Sequence, residues 1–320
     1  MRIKVLDRAA MGLDLSFDAL CAIGETVIYD GTAPEELNER VKDAEALVLN
    51  KIKISAEVMD NAPNLKVICV FATGYDNIDV SAAEARGIAV CNVPAYSTDS
   101  VTLFTVATVL SLYAHISEYR SYVASGAYSA GSSANCLTPV YHELRGKVWG
   151  IVGFGNIGKS VARVAEAFGA EVIVNKRTPI DGYRCVDIDT LCSLSDIITV
   201  HCPLNNETRG LINEKRISMM KSGVLIVNEA RGAVLDEEAV ASAVISGKIG
   251  AFGCDVYSSE PFDKKHPYNL ISGLDNVCLT PHSAWGAYEA RMRCLSVICD
   301  NISSYEKGEM LNRVDKPRQN

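Results

Sequence analysis

The sequence predicts an α/β fold with two domains, each built on a parallel sheet. Short apolar runs alternate with amphipathic helical stretches along almost the whole chain, which is the pattern of parallel strands joined by crossover helices. The length of 320 residues is enough for about two domains. Because the alternation occurs once in the first hundred residues and again from Lys147 onward, we expect two separate sheets.

The predicted strands are short runs rich in Val, Ile, Leu and Cys, as expected for strands that are covered on both faces. In the first series they are Ile3–Leu6, Thr26–Tyr29, Ala46–Leu49, Lys66–Val70 and Ile88–Cys91. In the second series they are Val148–Val152, Glu171–Asn175, Asp196–Val200, Gly223–Asn228, Ile249–Cys254 and Val277–Leu279.

Three segments outside these series also have recognisable patterns. Asp99 and Ser100 are suited to cap a long helix that runs through Val101–Tyr122. A loop rich in Ser, Gly and Ala follows over Ala124–Ala134, and we interpret it as an arm that reaches a partner subunit. The chain closes with one helix, Ala287–Tyr305, and a polar tail. We expect this last helix to return to the first domain.

Composition narrows the classes of function. The net charge of −8 and the pI of about 5.3 argue against general affinity for nucleic acid or anionic membranes. The eleven cysteines form no C-x-x-C pair, so we expect no disulfide framework and no metal site, but reduced thiols in the cytoplasm. No apolar run approaches the ~18 residues that a membrane span needs. The N-terminus meets an acid at Asp7, which is not typical of a signal peptide.

The most specific motif is a glycine-rich turn at the start of the second series. The predicted strand Val148–Val152 runs directly into Gly153–Gly158, whose sequence is GFGNIG, and an amphipathic helix follows over Ile157–Phe168. Glycines at these positions permit a tight turn, a close approach of the backbone to a pyrophosphate, and close helix–strand packing. The free amides of the helix N-terminus stabilise phosphate charge. The motif therefore predicts dinucleotide binding at Gly153, Gly155, Asn156, Ile157 and Gly158.

The end of the next predicted strand indicates which dinucleotide is bound. An NAD site usually carries an acid about 20 residues beyond the glycines, where it binds the ribose 2′-hydroxyl. Lys176, Arg177 and Thr178 stand there instead. Cations and a hydroxyl suit a 2′-phosphate, so NADP is favoured and NAD is the alternative. A further interpretation is that these residues are solvated loop cations.

Arg231, Glu260 and His282 each come shortly after the end of a predicted strand. The carboxyl ends of parallel strands meet at one edge of a sheet, where ligands bind in such folds. Each residue alone is more commonly structural. Hydride transfer between a 2-hydroxy acid and its keto acid, however, needs a cation for the carboxylate, a general acid–base, and a group that orients this base. Together the three residues predict a site for that chemistry.

With these residues the chain resembles the D-isomer-specific 2-hydroxyacid dehydrogenases over nearly its whole length. The resemblance also includes Thr73–Asp79, Asn92–Pro94 and His201–Leu204. It implies two Rossmann-like or flavodoxin-like domains with the active site in the cleft between them. We therefore predict a discontinuous substrate domain, residues 1–98 plus 287–320, and a dinucleotide-binding domain, residues 99–286.

The same resemblance implies roles for individual residues. Arg231 binds the substrate carboxylate, His282 protonates the carbonyl oxygen during reduction, and Glu260 hydrogen-bonds His282. Asp255 contacts the nicotinamide carboxamide, and Thr105 approaches the cofactor from the long helix. The remaining cofactor contacts are Cys202, Pro203, Thr208, Glu229, Ala230 and Ala284, together with Arg231 and His282 themselves.

Substrate contacts are implied as well. The backbone amides around Ala72, Thr73 and Gly74 help to bind the substrate carboxylate, alongside Arg231 and His282. Trp285 either closes over a small substrate or packs at the hinge. Lys51 either faces the cleft or is a solvated lysine.

Two segments, Asn92–Val101 and Pro281–Trp285, are similar to those of glycerate dehydrogenases, also called hydroxypyruvate reductases. The implied reaction is reduction of a small 2-keto acid to the D-2-hydroxy acid, with hydroxypyruvate as the substrate, or reduction of glyoxylate to glycolate. The chain departs from the family where Thr102-Leu103-Phe104 replaces Ala-Glu-His or Ala-Gln-His, and where Ala72 replaces glycine or a small polar residue. Neither departure removes a predicted catalytic residue.

Two other functions stay open at this point. An enzyme of the same family could act on a different acid, such as D-lactate, phosphoglycerate or phosphite. A cofactor-sensing protein resembling the transcriptional corepressors of this fold is a hypothesis from another class, although the sequence shows no basic patch or peptide-binding signature for it. The long helix and the Ala124–Ala134 loop predict a homodimer through the cofactor domain.

Overall fold

In the computed structural model, which describes residues 1–178 and 180–315, the strands assemble into two parallel sheets. Each sheet belongs to its own unit. Unit 1 consists of Met1–Ser97 with Gly286–Asn320, and unit 2 consists of Thr98–Trp285. The predicted α/β class with two parallel sheets is therefore confirmed. The end of the predicted polar tail, residues 316–320, lies outside the described residues.

Unit 1 is a five-stranded sheet covered by helices. Its strands are β1 (Arg2–Val5), β2 (Glu25–Ile28), β3 (Ala46–Leu49), β4 (Val67–Val70) and β5 (Ala89–Cys91). Its helices are α1 (Asp18–Cys21), α2 (Pro34–Val41), α3 (Ala56–Asp60), α4 (Val80–Ala85) and α12 (Tyr288–Glu306). The strand order β2-β1-β3-β4-β5 is that of flavodoxin-like folds, whose ligands bind at the carboxyl ends of the strands. The last helix packs on β4 and α1.

Unit 2 has a seven-stranded sheet. Its strands are β6 (Val148–Val152), β7 (Glu171–Asn175), β8 (Arg184–Cys185), β9 (Ile197–Val200), β10 (Val224–Asn228), β11 (Ile249–Cys254) and β12 (Val277–Leu279). Its helices are α5 (Thr98–Tyr113), α6 (Ile116–Ala124), α7 (Ala127–Ala130), α8 (Asn156–Ala167), α9 (Ile188–Leu194), α10 (Glu214–Met219) and α11 (Glu237–Ile245). The order β8-β7-β6-β9-β10-β11-β12 is the Rossmann order with one additional strand.

Helices cover both faces of the unit 2 sheet, which explains why its strands are apolar throughout. On one face α5 and α8 pack together, and α5 also packs on β10 and β11. The approach is close, since a Cβ added at Gly253 would lie 2.4 Å from Thr108 Cγ2. The one polar atom of the fully buried Trp149, its indole N–H, donates to Thr199 Oγ1 at 3.1 Å.

The predicted single helix Val101–Tyr122 is wrong, because the structure divides it into α5 and α6. Between them His115 has a φ of +54°, a left-handed conformation that a continuous α-helix does not contain. The two helices meet at 61°. The predicted Ala124–Ala134 loop in turn contains the short helix α7.

No single helix in the described residues is long and apolar enough to cross a membrane. The bent pair formed by α5 and α6 passes that test only when its two helices are counted together.

Candidate active site

The phosphate turn has the geometry that its glycines require. Gly153 has a φ of +90°, and a Cβ added there would lie 2.5 Å from the backbone nitrogen of Cys202. A Cβ added at Gly158 would lie 2.3 Å from the carbonyl oxygen of Gly153. At Gly155, by contrast, an added Cβ would meet nothing within 4 Å in the described structure. The first and third glycines therefore serve internal packing, while the second leaves the backbone open on its outer side.

The N-terminus of the helix that follows this turn carries backbone amides that are suited to bind an anion. Gly155 is the N-cap residue of α8, and its position makes no side-chain cap hydrogen bond. The first amides of any helix have no partner inside that helix, so here they are suited to hold an anion. A cavity of about 530 Å³ adjoins the turn, and Asn156, Lys159 and Arg163 of α8 contribute to its lining. These residues fit a dinucleotide phosphate.

The segment predicted to choose between NAD and NADP follows β7. Arg177 and Glu207 form an ion pair at 3.1 Å between Nη2 and Oε2, with side chains 79% and 74% exposed. An exposed pair of this kind contributes about 1 kcal/mol or less. Glu207 therefore competes only weakly with a phosphate for the Arg177 guanidinium. Lys176 is half-buried and Thr178 is exposed.

Arg231 is held by the turn that leaves β10. The buried Asn228 folds this turn, because its Oδ1 accepts from Ala230 N at 3.1 Å and its Nδ2 donates to Arg231 O at 3.0 Å. The Arg231 guanidinium donates to the Ala230 carbonyl oxygen at 2.8 Å. Directly after it, a Cβ at Gly232 would lie 2.0 Å from the carbonyl carbon of Tyr257. The Arg231 turn therefore lies against the segment that leads to Glu260.

His282 and Glu260 form the pair that the resemblance implies. The distance from His282 Nδ1 to Glu260 Oε2 is 2.6 Å, and each side chain is about a quarter exposed. The other carboxylate oxygen, Glu260 Oε1, accepts from Tyr257 N at 3.1 Å. His282 has a φ of +54°, which is uncommon for a residue with a Cβ and typical of constrained sites. The Nδ1 side of the imidazole faces Glu260, so Nε2 is the nitrogen that can serve a substrate.

Asp255 fastens the segment that carries His282. This buried carboxylate accepts from Thr280 Oγ1 at 2.6 Å, from Ser283 N at 2.8 Å and from Ala284 N at 2.8 Å. From α5, Ser100 Oγ donates to the Ala284 carbonyl oxygen at 2.6 Å. Asp255 therefore has a positioning role that the sequence did not indicate.

Sequence reasoning missed two further residues that position the site. Glu237 accepts from Ser258 N at 2.9 Å and contacts His266 Nε2 at 3.0 Å, so it holds the segment before Glu260. The hydroxyl of Tyr257 donates to the Thr280 carbonyl oxygen at 2.8 Å and joins the Glu260 segment to the His282 segment. In the sequence Glu237 had the pattern of an ordinary first-turn residue of a helix, so it gave no signal.

Glu229 is buried directly after β10, and the half-buried His201, whose ring nitrogens are both buried, follows the adjacent strand β9. Burial, with Asp255 nearby, raises the pKa of Glu229 to about 9. Burial lowers the pKa of His201 to about 3. Among the described residues, the carboxyl oxygens of Glu229 and the ring nitrogens of His201 have no hydrogen-bond partner. Burial also raises the pKa of the neighbouring thiol of Cys202 to about 11, so this thiol stays protonated.

Two other predicted cofactor contacts use their hydroxyls inside the unit. Thr105 is completely buried and donates to the Val101 carbonyl oxygen at 2.8 Å. Thr208 donates to the Pro203 carbonyl oxygen at 2.6 Å and so shapes the turn after β9. Pro203 is exposed. Thr105 is therefore placed as a packing residue of α5, whereas Pro203 presents a surface to solvent.

The substrate contacts predicted in unit 1 follow β3 and β4. The backbone amide of Lys51 donates to Asp7 Oδ2 at 2.7 Å. Thr73 Oγ1 donates to the Val93 carbonyl oxygen at 2.8 Å, within the segment that also holds Ala72 and Gly74. These residues share the carboxyl edge of the unit 1 sheet, and their role as substrate contacts stays a prediction. Trp285, half-buried, is the last residue of unit 2.

All eleven cysteines are free thiols. Within the described parts of the chain, no group of three or more His, Cys, Asp or Glu side chains is placed to hold a metal ion.

Comparison with known proteins identifies the family. The model for the NAD binding domain of D-isomer specific 2-hydroxyacid dehydrogenases matches residues 106–284. A hydroxypyruvate reductase from Blautia hydrogenotrophica is 36% identical over 99% of this chain and 100% of its own length. A glyoxylate reductase from Thermofilum pendens is 39% identical over 86% of this chain and 82% of its own length.

The fold has a solved counterpart as well. A crystal structure of a protein from Thermus thermophilus superimposes with a TM-score of 0.88 at 32% identity, covering 98% of this chain and 100% of that one. The resemblance inferred from the sequence is therefore confirmed. The chain belongs to the D-isomer specific 2-hydroxyacid dehydrogenases, oxidoreductases that act on the CH–OH group of a 2-hydroxy acid with a nicotinamide cofactor.

Proposed function

We propose that this enzyme reduces hydroxypyruvate to D-glycerate, and glyoxylate to glycolate. The observation that carries the proposal is the His282–Glu260 pair at 2.6 Å, placed on the same sheet edge of unit 2 as Arg231. The names of two relatives, a hydroxypyruvate reductase and a glyoxylate reductase, support this choice of substrate. Both keto acids are small and carry a carboxylate beside the reacting carbonyl.

The residues divide the chemistry among them. The nicotinamide, when bound, supplies the hydride. The Arg231 guanidinium binds the substrate carboxylate through paired hydrogen bonds. The imidazolium of His282 donates its Nε2 proton to the carbonyl oxygen as the alkoxide develops. Glu260 stabilises this imidazolium and fixes the orientation of its ring, and Asp255 holds the backbone on either side of Ser283.

A kinetic panel tests the proposed substrate. Hydroxypyruvate, glyoxylate and pyruvate are each reduced with NADPH and with NADH, and kcat/KM is measured for each combination. We expect hydroxypyruvate and glyoxylate to exceed pyruvate. A preference for pyruvate would assign the enzyme to the D-lactate alternative. The absence of turnover with all three acids under both cofactors would contradict the proposal.

We infer that NADP is the preferred cofactor and that NAD is used less well. Lys176 and Arg177 supply two cations where a 2′-phosphate would lie, and the Glu207 partner of Arg177 is too exposed to hold it firmly. No acid follows β7 at the position that would bind a free 2′-hydroxyl.

Replacing Lys176 with aspartate is expected to reverse this preference. The new carboxylate repels a 2′-phosphate and accepts a hydrogen bond from a 2′-hydroxyl, so the ratio of kcat/KM for NADPH to that for NADH should fall roughly 10²-fold. Lys215→Asp, on the exposed surface of α10, is the matched control and should leave the ratio unchanged. If the wild type prefers NADH, or if both variants behave alike, the assignment of these cations is wrong.

We further propose a homodimer that forms through unit 2. The side chains of Leu137 and Val140 are 76% and 71% exposed, and Leu103 of α5 is 70% exposed. Exposed apolar residues that lie close together, as Leu137 and Val140 do in the sequence, are typical of an interaction site. The segment that contains Leu137 and Val140 packs on α6, where the rings of Tyr119 and Tyr141 meet edge to face with centroids 6.3 Å apart.

Charges placed on this surface are expected to produce monomers. Sedimentation velocity at micromolar concentration should give a dimer for the wild type and a monomer for the double variant Leu137→Asp/Val140→Asp, because two carboxylates cannot be buried unpaired. Leu270→Asp changes a leucine that is 72% exposed elsewhere in unit 2, and this control should remain dimeric. A monomeric wild type, or a dimeric double variant, would contradict the proposal that these residues form a dimer interface.

The cytoplasm is the proposed location of the enzyme. Six of the eleven free thiols are buried, including Cys69, Cys202 and Cys254, as is typical of proteins from a reducing compartment.

A further inference from the structure

Glu229 is a buried carboxyl that the reaction described above does not use. It follows β10 directly, its exposed fraction is 8%, and neither of its carboxyl oxygens has a hydrogen-bond partner in the described part of the chain. Buried polar groups are almost always paired, because leaving them without partners costs free energy. A carboxyl in this state points to a ligand that supplies the missing hydrogen bonds.

The surroundings of Glu229 determine its protonation. Burial, with a smaller contribution from the neighbouring Asp255, raises its pKa to about 9 and so favours the neutral form. The thiols of Cys254 and Cys278 lie within electrostatic range, and burial raises the pKa of each, so they are uncharged as well. His201, directly after the adjacent strand β9, is also neutral. At neutral pH Glu229 is therefore a carboxylic acid, with one O–H donor and one carbonyl acceptor in the same plane.

Asp255 provides the contrast. Its carboxylate already accepts three hydrogen bonds from the segment that carries His282. Glu229 lies within electrostatic range of Asp255 and has both of its oxygens available. Of the two acids in this part of unit 2, Glu229 is therefore the one whose carboxyl oxygens make no hydrogen bond within the described residues.

We infer that Glu229 positions the nicotinamide by binding its carboxamide as a neutral acid, donating its O–H to the amide oxygen and accepting from the amide N–H. A carboxylic acid and a primary amide are complementary in this planar, two-bond arrangement. The inference rests on the proposed function and on the contact between Asp255 and the nicotinamide carboxamide that the family resemblance implies. It does not depend on which keto acid is reduced.

Two variants and a cofactor analogue test this pairing. Glu229→Leu removes both hydrogen bonds at similar volume, whereas Glu229→Gln keeps one donor and one acceptor. Binding of NADPH, and of its 3-acetylpyridine analogue, which lacks the amide N–H₂, is measured by fluorescence titration. We expect the leucine variant to bind NADPH roughly 10- to 100-fold more weakly than wild type. The glutamine variant should restore most of the affinity. The leucine variant should lose clearly less affinity for the analogue.

The pH dependence separates this role from a merely structural one. Because the O–H exists only below the raised pKa, wild-type affinity for NADPH should fall as pH rises through about 9, when the new carboxylate also faces Asp255. The glutamine variant should lack this fall. Glu238→Leu, an exposed substitution on the first turn of α11, is the control and should retain both the affinity and the pH profile.

Equal losses for NADPH and the analogue in Glu229→Leu would overturn the inference, because they would mean that Glu229 pairs with His201 or only fills space. So would unchanged NADPH affinity in that variant. These titrations need no turnover. Failure of hydroxypyruvate reduction would therefore count against the proposed function alone.

Discussion

Replacing His282 with alanine is expected to lower kcat for hydroxypyruvate reduction roughly 10²- to 10⁴-fold, the usual contribution of a general acid. The imidazole is held at 2.6 Å from Glu260 and has Nε2 directed away from that carboxylate. Without it no side chain at this position donates a proton to the developing alkoxide. The measurement is steady-state kcat at saturating keto acid and cofactor, with the dissociation constant of NADPH recorded in parallel.

Two variants define the specificity of this effect. Glu260→Gln keeps a hydrogen-bonding side chain but removes the charge that stabilises the imidazolium. A loss of kcat smaller than that of His282→Ala is expected, because the imidazole is still present to donate a proton. His142→Ala removes an exposed histidine of unit 2 and should leave kcat unchanged. A His282→Ala enzyme that retains more than a tenth of wild-type kcat would show that the proton comes from another group.

Replacing Arg231 with alanine is expected to lower kcat/KM for hydroxypyruvate roughly 10²- to 10³-fold, which corresponds to about 3–4 kcal/mol. The loss should appear mainly as a higher KM, because the substrate carboxylate loses its charged partner in both the ground state and the transition state. Arg231→Lys should recover only part of the loss, since an ammonium does not provide the paired donors of a guanidinium.

Comparing substrates with and without a carboxylate tests whether Arg231 binds that group. Glyoxylate carries a carboxylate and glycolaldehyde does not, so the wild type should prefer glyoxylate and Arg231→Ala should lose most of that preference. Arg145→Ala, an exposed arginine in unit 2, serves as the control. An unchanged preference in Arg231→Ala would mean that the carboxylate binds elsewhere.

The strands of both sheets could be predicted from the sequence because they are buried on both faces. Apolar runs such as Ala46–Leu49 and Val148–Val152 coincide with strands β3 and β6 of the structure. The phosphate turn was equally accessible, since its geometry depends on glycines that are neighbours in the sequence. The two-residue strand β8 was missed, because Arg184 and Cys185 have no apolar periodicity.

Features that depend on distant contacts were not accessible in this way. The division of the long helix at His115 requires a left-handed residue that helix propensity does not indicate. The fastening of the His282 segment by Asp255, and the anchoring of the Glu260 segment by Glu237, join residues more than 20 positions apart in the sequence. The sequence also does not indicate that the buried carboxyl of Glu229 lacks a hydrogen-bond partner among the described residues.

The most direct measurement is to analyse the product formed from hydroxypyruvate with NADPH that carries deuterium at both positions on C4 of the nicotinamide. Chiral chromatography with mass spectrometry then gives the configuration of the glycerate and the position of the label. We expect D-glycerate with one deuterium at C2, formed in step with NADPH oxidation and strongly reduced in His282→Ala. L-Glycerate would contradict the proposed configuration of the product. Glycerate without deuterium, or no glycerate with either labelled NADPH or labelled NADH, would contradict hydride transfer to hydroxypyruvate.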